Sequence, residues 1–132
     1  CKLAGLDVNS SLYGRSYHLT SLNGDVCLSK KEQEITNFLI NENISYEKEV
    51  LYKDIITDYS EKNIRCDWLL NENIVVEYFG MPEKYDYKIR MNEKIELCKT
   101  YGIPLIDIYQ KDILNNFEGL KLKLRMHNIN TA

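Results

Sequence analysis

The apolar positions along the chain change period several times, and each change predicts an element. Residues 1–27 carry no sustained period; small, polar and turn-forming residues interrupt every run, and Asn23-Gly24 is a turn or hairpin signal. Ser29 with Glu32 three residues on has capping-box spacing, and Ile35, Phe38 and Leu39 then recur at helical spacing, so a helix is expected up to Asn41–Asn43. Tyr46, Val50, Leu51 and Tyr52 mark a first strand over 45–52, and polar residues 58–63 a loop. Two strand-forming runs follow, 65–70 and 74–79, separated only by Asn71-Glu72-Asn73, which makes them an antiparallel hairpin. After the break at Gly80-Met81-Pro82, Tyr87, Met91, Ile95, Cys98 and Tyr101 mark one side of a long helix over 85–101, with Gly102 as its stop. The nearly continuous apolar run 103–109 suits a buried strand. Residues 112–126 close the chain as a helix, although the alternation Leu120-Lys121-Leu122-Lys123-Leu124 would suit a strand equally. This order predicts a mixed α/β domain over 28–132, with a small mixed sheet, an antiparallel hairpin and flanking helices, preceded by an arm over 1–27.

At 132 residues, 44% hydrophobic and 28% charged, the chain has globular composition and the size of one domain. No apolar stretch approaches the roughly 20 residues of a bilayer-spanning helix, and no basic-then-apolar leader opens it, so no membrane partner and a cytoplasmic location are expected. The first residue is Cys1 rather than Met, so further domains are expected to precede it. The four cysteines, at 1, 27, 66 and 98, are too widely spaced for a zinc knuckle. Cys66 and Cys98 fall in apolar-patterned segments, where buried, reduced thiols are expected. Two histidines, His18 and His127, are too few for a histidine-rich metal site.

The net charge of −3 does not mark a nucleic-acid binder, but its distribution permits one: residues 1–83 carry a net −6 and residues 84–132 a net +3. Two smaller basic clusters, Arg15-Tyr17-His18 and Lys121-Lys123-Arg125-His127, are expected first as ordinary packed or solvated surface. Lysine outnumbers arginine 13 to 4, beside 13 asparagines and 14 isoleucines. AT-rich codons produce that bias, which points to a low-GC bacterium or one of its phages.

The hairpin concentrates the candidate chemistry. With Asn71–Asn73 as its loop, Leu70 faces Ile74, and counting outward sets Asp67 opposite Glu77. Opposed residues share a face, with Cβ atoms about 4.5–5.5 Å apart. Two carboxylates held so close repel unless something neutralises them, and a divalent cation with oxygen ligands does so. A register slip of one residue would separate them, and both would then be ordinary solvent-facing acids.

These residues resemble the PD-(D/E)XK nuclease superfamily. Glu32 in Ser29-Lys-Lys-Glu32 looks like its helix-borne acid, Arg65-Cys66-Asp67-Trp68-Leu69 like its first metal-binding strand, and Val75-Val76-Glu77-Tyr78-Phe79-Gly80 like its second. The likeness is to a subgroup whose second strand reads Glu-(Tyr or His)-Phe-Gly, and Tyr87, Arg90 and Lys94 match its Tyr-x-x-Arg-x-x-x-Lys helix. Tyr46 and Glu49 to Tyr52 match its preceding strand, and the likeness covers about residues 28–114. Two positions depart from the wider pattern: Cys66 stands where a proline precedes the first acid, and Phe79 where a lysine follows the second. The resemblance implies that Lys94, on the next helix, replaces that lysine.

The resemblance implies a restriction-endonuclease-like core and metal-dependent hydrolysis of DNA phosphodiester bonds. Asp67, Glu77 and the Tyr78 backbone carbonyl would hold Mg²⁺ or Mn²⁺. Lys94 would orient the attacking water and stabilise developing charge. Arg90 would contact phosphate, with Tyr87 as a further substrate contact. Glu32 serves equally as helix cap or as part of the site. A homodimer would let such an enzyme reach both strands. Three other classes remain: a nuclease-fold module that binds nucleic acid without cutting, an unrelated α/β interaction domain with surface acids, and a thiol hydrolase using Cys66 and His127. The last is poorest, because strand alternation turns Cys66 away from Asp67.

Overall fold

A computed structural model describes all residues except 1–18, 25, 28, 58, 60, 61, 81, 82 and 132. The expected contacts of Arg15, Tyr17 and His18 lie outside the described residues. The chain forms two compact units, Cys1–Asn41 and Glu42–Ala132. In the first, β1 (Leu19–Thr20) pairs antiparallel with β2 (Val26–Cys27). The Asn23-Gly24 signal forms the turn between them: Gly24 has φ 89° and donates its N–H to Ser21 O. The helix α1 (Lys30–Asn41) starts as its cap predicts, with Ser29 Oγ accepting the Glu32 N–H at 3.1 Å. Ile35, Phe38 and Leu39 form its buried face, joined by Glu32 and Thr36.

The second unit is built on a four-stranded sheet in the order β3-β4-β5-β6. Its elements are β3 (Glu47–Lys48), a one-turn α2 (Tyr52–Ile55), β4 (Trp68–Leu70), β5 (Ile74–Tyr78), α3 (Tyr85–Tyr101), β6 (Leu105–Ile108) and α4 (Leu114–Met126). β3 and β4, and β4 and β5, pair antiparallel. β5 and β6 pair parallel, which requires a crossover, and α3 supplies it. The predicted loop closes the hairpin: Leu70 faces Ile74, and Asn71 and Glu72 take φ 52° and 65°, the left-handed pair that matches strand twist. Gly102, at φ 66°, ends α3 by donating to Cys98 O and Lys99 O.

Two expectations need correction. The strand over 45–52 is regular only at Glu47–Lys48, because Glu49 turns to φ 54°. Its register still continues: Glu49 donates to Asp67 O, Cys66 to Val50 O and Tyr52 to Ile64 O. Tyr52 then opens α2, which the pattern did not predict. Secondly, Cys66 does not face away from the acids. Regular β4 starts only at Trp68, and Cys66 packs with Tyr52, Leu69, Val75 and Cys98. The closing helix expected over 112–126 does form, with Leu120 and Leu124 fully buried. It enters through a 3₁₀ turn, Gln110–Ile113, and a left-handed stretch at Asn115, Asn116 and Phe117.

The sheet is buried on both faces. Leu69, Val75 and Leu105 point to one side, where they meet Leu97 and Cys98 of α3 and Tyr52, Ile56 and Tyr59. Trp68, Leu70, Ile74, Val76, Ile106 and Ile108 alternate to the other and are also buried. Each such side chain contributes roughly 1.5–3 kcal/mol of burial. Cys66 and Cys98 are free, buried thiols. Among the described residues no helix is long and apolar enough to cross a membrane.

Candidate active site

Glu77 is the anomaly of this core: a carboxylate with no exposed surface, on the central strand β5. Strand alternation puts it on the face that carries Val75. The hairpin register makes Asp67 its facing residue, one rung beyond Trp68–Val76. Asp67 folds its carboxylate against the β5 backbone, where Oδ2 accepts the Tyr78 N–H at 2.8 Å. A buried carboxylate must find hydrogen-bond donors or neutralise, and Glu77 has two. Lys94 Nζ donates to Oε1 at 2.9 Å from α3, and Tyr52 Oη donates to Oε2 at 2.5 Å from α2. Lys94 reaches inward because it lies one turn before Cys98, on the packed side of α3.

Burial pushes the Glu77 carboxyl up to about 8, and the Asp67 charge adds to it against the opposing pull of Lys94 and Tyr52. For Lys94, burial favours the neutral amine, but the charges of Glu77 and Asp67 outweigh it and hold the ammonium above its usual range. Acid and base are thus displaced in the same direction, toward taking up protons. The thiols beside this cluster are inert: burial, followed by the charge of Glu77, pushes Cys66 up to about 12. Burial also lifts Cys98 to about 11.

Tyr87 occupies the end of β5. Its hydroxyl donates to Tyr78 O and accepts the Gly80 N–H, both at 2.9 Å. It therefore braces the strand end after Glu77. Arg90, one turn before Lys94, is exposed. The structure thus gathers Asp67, Glu77, Lys94, Tyr87 and the Tyr78 carbonyl, with Arg90 exposed one turn before Lys94 on the same helix. Glu32 lies in the N-terminal unit, where it is buried. Glu49 donates its backbone N–H to Asp67 O, and its own carbonyl accepts Arg65 Nη1.

Two neighbours were not legible in the sequence. Tyr52 carried an apolar-strand signal and a match to the strand before the hairpin, but its hydroxyl's destination depends on a helical turn that no pattern announced. Asp107 is the β6 register partner of Glu77. Lys123 Nζ donates to its carbonyl at 2.6 Å and to buried Asp112 at 2.9 Å, which ties α4 to β6.

The donor set suits a hard cation in kind: two carboxylates and a carbonyl, all oxygen. Mg²⁺ typically takes only one or two protein carboxylates and keeps several waters. Among the described residues no group of three or more histidine, cysteine, aspartate or glutamate side chains is disposed to hold a metal ion. Compared with known proteins, the chain matches no family model, no curated protein and no solved structure.

Proposed function

We propose that the C-terminal unit is a metal-dependent DNA endonuclease domain with a restriction-endonuclease-like core. The observation that carries this is the buried Glu77, facing Asp67 across the hairpin and bonded by Lys94 and Tyr52. Asp67, Glu77 and the Tyr78 carbonyl would hold Mg²⁺ or Mn²⁺, which when bound supplies Lewis acidity toward a phosphate and acidifies a water. Lys94 keeps a charged ammonium beside the carboxylates, where a phosphate oxygen and an attacking water would lie. Arg90 extends from the same helix with the fork that suits phosphate. Tyr87 holds the end of β5 in place, so its part in substrate binding would be to fix the Tyr78 carbonyl. Within this unit, the succession of three antiparallel-paired strands, crossover helix and parallel strand supports this core.

One observation favours a second reading, a nucleic-acid-binding module that does not cut. Phe79 stands in the usual lysine position and is buried, and the ammonium of Lys94 is already bonded to Glu77. Cleavage of plasmid and single-stranded DNA with Mg²⁺ and then Mn²⁺ separates the two, run beside Asp67→Ala, Glu77→Ala and Lys94→Ala. We expect metal-dependent cutting, lost at least 100-fold in each variant. A folded wild type that binds DNA and metal without cutting supports the binding module. Cutting that survives in Lys94→Ala removes the proposed replacement for the missing lysine.

A further inference from the structure

The resemblance assigns Tyr52 a place in the strand before the hairpin but no role in the site, yet it holds the one oxygen of Glu77 that Lys94 does not. We propose that Tyr52 is a positioning residue for the carboxylate pair: it fixes the rotation of Glu77, and with it the direction from which that carboxylate meets a cation shared with Asp67. The inference rests on the metal-dependent reading given above.

The geometry behind it is unusually constrained. The Tyr52 backbone is pinned on both sides, with its N–H donated to Ile64 O and its carbonyl accepting the Ile56 N–H, each at 2.8 Å. Its ring has no exposed surface and packs among Ile56, Tyr59, Cys66, Leu69, Val75 and Cys98. A phenol on a rigid ring, in a close-packed core, has no freedom to follow a wandering partner. Its hydroxyl, 2.5 Å from Oε2, therefore dictates where the carboxylate sits. Lys94 alone would not do this, because an ammonium on four methylenes tolerates many carboxylate orientations. Backbone placement also explains the one-turn α2. Continuing β3 would carry Tyr52 along the sheet, whereas the helical turn directs its ring into the core beside β5. Groups that orient a metal ligand typically cost 10–100-fold in metal affinity or activity when removed.

The test compares wild type with Tyr52→Phe, which removes the hydroxyl and keeps the ring. Mn²⁺ affinity is read by calorimetry, and kcat and KM on plasmid DNA are measured separately. We expect Mn²⁺ binding weakened about 10-fold and kcat lowered 10–100-fold at unchanged KM, in a variant that remains folded. Unchanged Mn²⁺ affinity and kcat in Tyr52→Phe, beside a wild type that binds metal and cuts, would overturn the role of Tyr52 alone. A wild type that neither binds Mn²⁺ nor cuts would overturn the metal-dependent reading and this inference with it. A second measurement needs no variant. The sheltered hydroxyl proton of Tyr52 is expected as a low-field proton resonance that shifts when Mg²⁺ is added. A resonance that stays put as metal binds would mark a purely structural hydroxyl and overturn the proposal.

Discussion

Glu77 and Lys94 set the behaviour of the site at the scale of single residues. Glu77 is raised from 4.5 in the open chain to about 8 in the fold. Between those values the folded protein holds a proton that the unfolded chain has released, so this residue makes stability fall as pH rises through the window. Glu77→Gln removes the titration and keeps an oxygen for Tyr52. Its thermal midpoint should gain on wild type steadily from pH 5 to 8.5, and a pH-independent difference between the two would contradict this assignment. Lys94→Met leaves a buried carboxylate without its cation. Its expected cost is about 3 kcal/mol at pH 8 by denaturant unfolding, and less at pH 6, where Glu77 takes up a proton instead. An equal loss at both pH values would mean that the pair is not what stabilises Lys94 in place. The identities of these residues were legible beforehand, because short motifs and strand counting name Asp67, Glu77 and Lys94. The burial of Glu77 was not legible, since nothing in the local pattern tells a buried acid from a surface one.

Helices and strands follow the pattern where a local signal is strong. The helix over 85–101 appears with the expected bounds, since an apolar stripe and a stop glycine both act locally. The first strand is shortened because Glu49 adopts a backbone conformation no propensity would assign to glutamate. The hairpin loop offers a clean check. Glu72 is exposed at φ 65°, where glycine has no steric penalty. Glu72→Gly should therefore leave stability unchanged or raise it by up to about 1 kcal/mol, whereas in a regular strand it would lower it. Gly119 works in the opposite sense. A Cβ there would come within 2.6 Å of Asp112 Oδ1 and 2.8 Å of its Cα. Gly119→Ala should cost about 1–3 kcal/mol through forced separation of α4 from the preceding 3₁₀ turn, measured by thermal or urea unfolding.

For the molecule as a whole, a ligand that binds only the folded state raises its stability by mass action. Mn²⁺ at ten times its dissociation constant should add about 1.4 kcal/mol, visible as a higher thermal midpoint in wild type and absent in Asp67→Ala. A midpoint equally raised in both proteins would place the ion elsewhere. The global charge adds a constraint on DNA binding. With a net charge of −3, the chain has few cations to spare for phosphates. The slope of log affinity against log salt should be correspondingly shallow, each phosphate contact adding about −0.9 on duplex DNA. Arg90→Ala should reduce that slope by roughly one contact while leaving Mn²⁺ affinity intact.

By itself the sequence determined the order of elements, the hairpin register and so the facing of Asp67 and Glu77, because period-2 alternation and a three-residue loop leave little freedom. It also determined that Arg90 and Lys94 share one side of a helix. Tertiary structure alone decided that Glu77 would be sealed from water, that Lys94 would turn inward to it, and that Tyr52 would arrive from a short helical turn to hold its other oxygen. These contacts join residues 17 and 25 positions apart in the chain. They depend on the packing of α2 and α3 over one face of the sheet, which no local period encodes.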